Sequence, residues 1–370
     1  MENIRLNVPT LGIEESEEIE KVLESGYLTQ GSKVVEFEDA IREHIDAKHV
    51  FATSSATTAL HLSLVAIGIK PGDEVLVPDF TFPATANVVV QQGAIPVLVD
   101  IDSSTFAMNP EEIESKITPK TKAIMPIDPF GLPYDIDSVQ KIAEKYGLPV
   151  IEDAACALGA TYKDRPIGSF NTTTCFSFHP RKVITTGEGG ILATNSDELA
   201  KQISILRTHG GIRGELYLSF VEAGFNYRLS DVLAAIGLAQ TRKLSTIVKQ
   251  RQELGSKYNE ILKNVDMVTV PQVPSERSHT YQSYVVMLSD EIDRDEAIRQ
   301  MKTNGVETTL GTYALHAQPY FENSLHVNAS EFPVAERAFR QSLTLPLWPG
   351  MSHDQVAYVC ETLEKIIKNL

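Results

Sequence analysis

Residues 74–100 read EVLVPDFTFPATANVVVQQGAIPVLVD, and this stretch decides the fold class. Residues 74–77 form a short apolar run typical of a buried strand, residues 84–92 have the spacing of a helix, and residues 95–100 form a second apolar run. Two strands separated by one helix pair in parallel through a right-handed crossover. The apolar runs do not alternate with polar residues, which predicts a sheet covered on both faces.

The same succession of helices and strands continues along the chain. The other predicted elements are helices at 14–25, 57–67 and 136–146 and strands at 122–127 and 148–152. In a sheet of this kind the strands end at a common edge, and ligands bind along that edge. We therefore expect the functional residues to lie directly after the strands.

A chain of 370 residues is long enough for two domains. Residues 1–245 are predicted to form a large α/β domain, with an N-terminal arm and a mostly parallel central sheet covered by helices on both faces. A long charged helix is predicted at 240–264, and only shorter helix and strand signals follow it. Residues 246–370 are therefore predicted to form a smaller C-terminal α+β domain.

The charge of the chain argues against one class of function. Lys and Arg number 33 and Asp and Glu number 49, which gives a formal net charge of −16. A surface this negative repels phosphate backbones, so a general nucleic-acid-binding protein is not expected. Part of the acidic excess lies in the first predicted helix, and these carboxylates are predicted to form a solvated face: Glu14, Glu15, Glu17, Glu18 and Glu20.

Cysteine spacing and hydropathy indicate the cellular compartment of the protein. Cys156, Cys175 and Cys360 are far apart and form no CxxC pair, so neither a disulfide framework nor a zinc site is expected. The chain begins without a basic segment followed by an apolar one, and its apolar runs are too short to span a bilayer. We predict a cytoplasmic protein that does not bind membranes.

Two strand ends carry residues suited to catalysis. Residues 176–182 read FSFHPRK and are followed by GEGG at 187–190. Lys182 can be a desolvated amine that forms a Schiff base, or a surface lysine beside a flexible loop. Asp153, which follows the predicted strand 148–152, can face a ring cofactor or cap a loop.

Two further segments precede predicted helices. Residues 54–58 read SSATT, which can bind a phosphate at a helix N-terminus or act as an ordinary N-cap. Phe82 in the sequence Thr81-Phe82-Pro83 can stack on a planar cofactor or belong to the core. All four segments fall on the same predicted edge, and this convergence indicates a binding site.

Ordered motifs extend over the whole chain. They are LTQG at 28–31, ALHL at 59–62, PGDEV at 71–75, EDAA at 152–155, FSF at 176–178, GEGG at 187–190, GFNYRL at 224–229, LHAQP at 315–319 and LPLWPG at 345–350. In these motifs the chain resembles the DegT/DnrJ/EryC1/StrS family of sugar aminotransferases. The resemblance implies the type I fold of pyridoxal-phosphate-dependent transferases. It also implies pyridoxal 5'-phosphate as cofactor, with pyridoxamine 5'-phosphate present during turnover.

The resemblance also implies the residues of the cofactor site. Lys182 falls on the family's Schiff-base lysine and proton shuttle, and Asp153 on the partner of the pyridinium nitrogen. The phosphate-binding positions correspond to Ala56, Thr57 and Ser177, the aromatic over the ring to Phe82, and a residue that reaches the phosphate of the neighbouring subunit to Asn226.

Four other positions are less typical or less certain in role. Cys156 stands where many members have Gln or His near the ring hydroxyl, which puts the hydrogen bond expected there in doubt. Asp128 replaces a usual His or Ser and is given no role. Thr29 and His316 are expected on the substrate side.

The implied reaction moves an amino group from L-glutamate to a keto sugar, most often a nucleotide-linked 4-keto- or 3-keto-6-deoxyhexose of polysaccharide or O-antigen biosynthesis. A homodimer with shared active sites is implied by Asn226. Two alternatives stay open, namely a free cyclitol or antibiotic sugar as acceptor and a non-catalytic regulatory protein on the same scaffold. A sugar dehydratase, in which histidine replaces the lysine, is disfavoured by Lys182.

Overall fold

The computed structural model describes residues 3–370. Over this range the α-helices are α1 (Ile13–Ser25), α2 (Ser32–Ile45), α3 (Ala56–Ala66), α4 (Ala84–Gln91), α5 (Pro110–Lys116), α6 (Ile136–Tyr146), α7 (Asp197–Leu206), α8 (Asp231–Thr241), α9 (Leu244–Leu262), α10 (Arg294–Thr303), α11 (Pro319–Leu325), α12 (Pro333–Gln341) and α13 (His353–Ile367). The strands are β1 (His49–Thr53), β2 (Glu74–Pro78), β3 (Phe80–Thr81), β4 (Ile95–Val99), β5 (Thr121–Ile124), β6 (Ile151–Asp153), β7 (Thr161–Tyr162), β8 (Arg165–Pro166), β9 (Thr173–Ser177), β10 (Gly190–Thr194), β11 (Gly211–Arg213), β12 (Leu218–Phe220), β13 (Val268–Thr269), β14 (Tyr284–Leu288), β15 (Thr309–Leu310), β16 (Tyr313–Ala314) and β17 (Ser342–Leu345).

The central sheet combines two groups of strands, in the orders β1-β10-β9-β6 and β5-β2-β4. Parallel bridges between Ile124 and Val150 and between Ile127 and Asp153 join the two groups. Strand β2 pairs in parallel with β4 and β5, and β6 pairs in parallel with β9. The predicted parallel arrangement is therefore confirmed from β2 through β6, where single helices connect successive strands of the sheet.

Hydrophobic cores cover both faces of this sheet. In β2, Val75, Leu76 and Val77 are all fully buried. Leu76 belongs to one hydrophobic cluster, whereas Val75 and Val77 belong to another. Because successive side chains of a strand point to opposite faces, the sheet lies between two cores, as its uninterrupted apolar sequence predicts.

Strand β10 is the exception to the parallel order. It runs antiparallel to both of its neighbours, β9 and β1. The connection from β9 to β10 is a loop over residues 178–189 without a helix, and such a connection returns the chain in the opposite direction. This loop contains Lys182.

The predicted long helix at 240–264 is wrong at its start. The structure has two helices, α8 ending at Thr241 and α9 beginning at Leu244. Helix α8 packs on α1 and α2, whereas α9 packs on α13. The chain therefore changes direction near residue 242 to reach a different set of neighbours, and the local sequence pattern does not report this turn.

The C-terminal part contains an antiparallel sheet in the order β13-β14-β17-β15. Helix α9 contributes Leu244 to a core of the central sheet and Leu254 to the C-terminal core. The N-terminal arm also joins the C-terminal core through Ile4, which forms a bridge with Val306. The division into domains at 1–245 and 246–370 stays a prediction, which the antiparallel C-terminal sheet supports.

Two glutamates of α1 are buried instead of solvated. Glu15 and Glu18 are 5% and 4% exposed, so the predicted solvated face is wrong at these positions. Glu15 accepts hydrogen bonds from Gln240 Nε2 (2.7 Å) and from Lys243 Nζ (2.8 Å). Burial acts to raise the pKa of Glu15, but the hydrogen bonds from Lys243, Gln240 and the Gly12 N–H lower it overall. The acidic helix is thus attached to the end of α8 by a buried polar contact.

We expect Glu15→Ala to lower the free energy of unfolding by about 1–3 kcal/mol at pH 7, because the Gln240 amide and the Lys243 ammonium each lose one of their acceptors. Urea denaturation measures this loss. The contribution of a carboxylate with a lowered pKa disappears as the pH falls through that pKa, so the loss should shrink below about pH 4. Glu17→Ala, an exposed position on the same helix, is the control. An equal loss in both variants would contradict the assignment.

Candidate active site

Three strand ends meet at one edge of the central sheet. Asp153 ends β6 and is paired with Cys175 of the parallel strand β9, so Ser177 at the end of β9 lies at the same edge. Ser177 is opposite Gly190 of β10, and Gly190 is also opposite Thr53 at the end of β1. The structure therefore brings the predicted segments together.

The Asp153 carboxylate is held from two sides. Its Oδ2 accepts a hydrogen bond from the Thr85 hydroxyl (2.8 Å), and its Oδ1 accepts one from the Ala155 N–H (3.2 Å). Burial raises the pKa of Asp153, whereas these hydrogen bonds and the positive charge of Lys182 act to lower it. A buried carboxylate in this setting is suited to face a cation such as a protonated ring nitrogen.

Lys182 lies in the loop between β9 and β10. The turn is closed by a hydrogen bond from the Lys182 N–H to the His179 carbonyl (2.8 Å). Its Nζ donates a hydrogen bond to Sγ of Cys156 (3.1 Å). Cys156 follows β6 by three residues, and its carbonyl accepts a hydrogen bond from the Thr280 hydroxyl (3.2 Å). The amine and the thiol therefore contact each other near Asp153, and the role of each stays a prediction.

Phe82 is not a core residue. Its side chain is 65% exposed, and its ring lies edge-on to Tyr313 with 6.5 Å between the centroids. The Phe82 carbonyl accepts a hydrogen bond from the Thr85 N–H (3.2 Å), so the turn that carries the ring is tied to the residue that binds Asp153. An exposed ring at this position is available for stacking.

The N-terminus of α3 lies against the start of β10. Ser55 caps the helix by accepting a hydrogen bond from the Thr58 N–H (3.1 Å). Within residues 3–370, the N–H groups of Ala56 and Thr57 have no hydrogen-bond acceptor. A Cβ atom on Gly190 would lie 2.5 Å from the backbone nitrogen of Ala56, so glycine is required there. The free N–H groups are suited to bind an anion.

Asn226 and Thr29 are both exposed. Asn226 Oδ1 accepts hydrogen bonds from Arg228 Nε (3.2 Å) and Nη2 (3.0 Å). The neighbouring Tyr227 carbonyl accepts a hydrogen bond from the Ser54 N–H (2.9 Å), which places this segment beside the N-terminus of α3. The predicted contacts of Asn226 with the neighbouring subunit and of Thr29 with substrate stay predictions.

His316 is buried, and both of its ring nitrogens are engaged. Nδ1 lies 2.6 Å from Oδ2 of Asp79, and Nε2 lies 3.2 Å from Oε2 of Glu336. Burial acts to lower the pKa of His316, but the hydrogen bonds and charges of Asp79 and Glu336 raise it overall. This arrangement favours a positioning role, and the predicted contact with substrate stays a prediction.

Two supporting residues are not evident from the sequence. Thr85 donates to Asp153, and it also lies 2.9 Å from the Thr81 hydroxyl. Asp231 caps α2 from a distant part of the chain, since its carboxylate accepts hydrogen bonds from the Gly31 N–H (2.7 Å) and the Val34 N–H (3.0 Å). The only local signal was the position of Thr85 in the first turn of a helix.

A pair of buried acids lies directly behind Asp153. Glu152 precedes it in β6, and the Asp128 N–H donates a hydrogen bond to the Asp153 carbonyl (3.1 Å). Within residues 3–370, Asp128 Oδ2 and Glu152 Oε1 are buried and have no hydrogen-bond partner. Burial raises the pKa of both, that of Glu152 to about 7, and the charge of Glu152 adds to the rise at Asp128. Two ionised carboxylates are disfavoured here, so we expect the pair to retain a proton near neutral pH.

The sequence model of the DegT/DnrJ/EryC1/StrS aminotransferase family matches residues 9–364. The chain belongs to this family. GDP-perosamine synthase of Caulobacter vibrioides is 36% identical over 98% of each chain. The structure of Spr1654 from Streptococcus pneumoniae in its PLP form has a TM-score of 0.95 and 28% identity over 99% of each chain, and it has also been solved in a PMP form. DesV of S. venezuelae in complex with a ketimine intermediate has a TM-score of 0.94 and 28% identity over the whole of both chains.

Membership of this aminotransferase family and the solved PLP and PMP forms confirm the predicted pyridoxal-phosphate-dependent enzyme of fold type I. The residues of this chain fit the cofactor. The free N–H groups of Ala56 and Thr57 suit its phosphate, the Asp153 carboxylate suits its ring nitrogen, and the exposed Phe82 ring suits its flat face.

The raised pKa values of Asp128 and Glu152 make stability depend on pH. A carboxyl group whose pKa is raised by folding keeps its proton at pH values where the unfolded chain has lost it. The free energy of unfolding of the wild type should therefore fall by about 2–3 kcal/mol between about pH 5 and pH 8. Asp128→Asn removes one ionisable group of the pair together with its charge, so this fall should be much smaller.

Urea denaturation at several pH values between 5 and 8 measures the effect. The control is Asp266→Asn, at an exposed position, which should keep the pH dependence of the wild type. The same pH dependence in Asp128→Asn and in the wild type would contradict the expected proton on this pair.

Proposed function

We propose that the protein transfers an amino group from L-glutamate to a nucleotide-linked keto sugar, a 4-keto- or 3-keto-6-deoxyhexose. Lys182 acts as the Schiff-base lysine and Asp153 as the partner of the ring nitrogen. The observation that carries the proposal is the convergence of the Lys182 amine, the Asp153 carboxylate and the N-terminus of α3 at one edge of the sheet. The name of the related GDP-perosamine synthase supports a nucleotide-linked acceptor.

Each residue at this edge has a task in the proposed reaction. Pyridoxal phosphate, when bound, supplies a carbonyl that combines with amines and a ring that withdraws electrons. Asp153 holds a proton on the ring nitrogen, and Lys182 Nζ moves a proton between the substrate carbon and the cofactor carbon. The Ser177 hydroxyl and the N–H groups of Ala56 and Thr57 bind the phosphate. Cys156 Sγ accepts a hydrogen bond from the free amine, as its 3.1 Å contact with Nζ indicates.

The alternatives have less support. A free cyclitol or antibiotic sugar as acceptor would use the same cofactor residues, so the nucleotide link rests on the related synthase. A non-catalytic regulatory protein would not need the Lys182 amine beside a buried Asp153 carboxylate.

We also propose a homodimer with shared active sites. The segment around β11 and β12 exposes Leu216, Tyr217, Phe220 and Val221, which are 84%, 71%, 66% and 54% exposed. An exposed apolar set of this size is typical of an interface. Asn226 is exposed a few residues further along, from where it can reach the cofactor phosphate of a partner.

Among the helices of residues 3–370, none has the length and hydropathy needed to cross a membrane. A cytoplasmic location is part of the proposal.

The first test uses the visible spectrum of the protein with pyridoxal phosphate. The wild type should show a yellow band that bleaches when L-glutamate is added, because the amino group moves to the cofactor. Lys182→Ala should lack this band, whereas Lys201→Ala, at an exposed position of α7, should keep it. A colourless wild type would refute the proposal, and a band that glutamate does not bleach would refute glutamate as donor.

The second test mixes subunits. In a shared site, Lys182 comes from one subunit and Asn226 from the other, so co-expressed Lys182→Ala and Asn226→Asp subunits form heterodimers with one intact site. An equal mixture should recover roughly a quarter of the wild-type activity, since half of the dimers are mixed and each has one good site. Each variant alone should be nearly inactive. Purified heterodimers without activity would contradict shared sites.

A further inference from the structure

A cavity of about 590 Å³ lies beside the loop that carries Lys182. The N-terminal arm forms one wall with Arg5, and the loop forms another with His179 and Arg181. The third wall comes from α10 and the segment after it, with Lys302 and Thr308. Arg181 directly precedes Lys182 in the chain, so one wall of the cavity is continuous with the catalytic loop.

Three cationic side chains line this cavity without a neutralising partner. Within residues 3–370, Arg5, Arg181 and Lys302 form no ion pair. Such a grouping stands out in a chain with 49 acidic and 33 basic residues, where acidic partners are abundant. Like charges around one cavity repel each other unless an anion lies between them.

The other polar groups in the walls offset this charge only in part, because Glu307 supplies one negative charge against the three positive ones. Glu307 is the acidic residue of the lining, and its carboxylate already accepts a hydrogen bond from the Leu6 N–H (3.0 Å). Burial lowers the pKa of His179, and the charges of Lys182 and Arg181 act in the same direction against that of Glu188. Neutral His179 can still donate a hydrogen bond, and the buried Thr308 hydroxyl has no hydrogen-bond partner within residues 3–370. The cavity therefore offers positive charge together with polar donors.

We propose that this cavity binds a substrate group with two negative charges. Two groups have this chemistry, the diphosphate of a nucleotide-linked sugar and the paired carboxylates of the amino donor. The volume lies within the range of about 300–1,000 Å³ that is usual for whole small-molecule ligands, which favours the diphosphate. The inference rests on the proposed function, because it takes the ligand of this cavity to be a substrate of the reaction at Lys182.

Calorimetric titration of the protein with pyridoxal phosphate bound tests the proposal. The probes are inorganic pyrophosphate, which does not require knowledge of the nucleotide, and 2-oxoglutarate, the keto form of the donor. Arg181→Gln and Lys302→Gln should each weaken binding of at least one probe about tenfold, and Arg181→Lys should restore part of the affinity. The matched control is Arg299→Gln on α10, whose side chain pairs with Glu296 and is outside the cavity lining. Circular dichroism checks that all variants are folded.

The outcomes separate the two sources of charge. Weakened binding of pyrophosphate alone identifies the diphosphate, and weakened binding of 2-oxoglutarate alone identifies the donor carboxylates; either supports the proposal. Unchanged binding of both probes in Arg181→Gln and Lys302→Gln overturns it, as does a wild type that binds neither probe. Bleaching of the cofactor band by glutamate is measured separately on the same wild type. The wild type could bind the probes, with weaker binding in the cavity variants, and yet show no bleaching by glutamate. This result would refute the proposed function without refuting the anion site.

Discussion

The close approach of Gly190 to the start of α3 determines how the active-site edge is assembled. A Cβ atom at position 190 would overlap the Ser55–Ala56 peptide, so β10 can begin there only with glycine. Strand β10 is hydrogen-bonded to β9 and to β1, and this single contact therefore sets the distance between the free N–H groups of α3 and the loop of Lys182. Strand β10 runs antiparallel to β9, so the chain that leaves the Lys182 loop comes directly to the N-terminus of α3.

Three neighbouring buried acids lie at this edge, and a proton retained by two of them limits the repulsion among the carboxylates. Asp128, Glu152 and Asp153 are all buried, and three ionised carboxylates in so small a volume would repel one another strongly. A proton retained by Asp128 and Glu152 removes one of the two negative charges of that pair, while the Asp153 carboxylate interacts with the positive charge of Lys182. The pair then repels the Asp153 carboxylate less than two ionised carboxylates would.

Local sequence patterns predict the helices and strands of the sheet well where end signals are strong. Helix α6 has the predicted bounds 136–146, and it ends at Gly147 in the left-handed conformation. Asp153 and the loop of Lys182 could be placed at one edge because parallel strands end together. The burial of Glu15 and Glu18, the break between α8 and α9 and the enclosure of His316 depend on residues far away in sequence, and no local pattern contains that information. Asp231 shows the same limit, since the helix it caps lies about 200 residues earlier.

Helix α9 has a mechanical consequence for how the enzyme admits its ligands. It is 19 residues long, about 28 Å, without an internal proline, and its two ends are anchored in different hydrophobic cores. Gly255 within it is not a point of weakness, because the space where its Cβ would be is filled by the ring of Tyr281. A large rotation of the C-terminal part against the central sheet would have to bend helix α9. We therefore expect ligands to reach the active site when surface loops are displaced. The two cores should move as one rigid body.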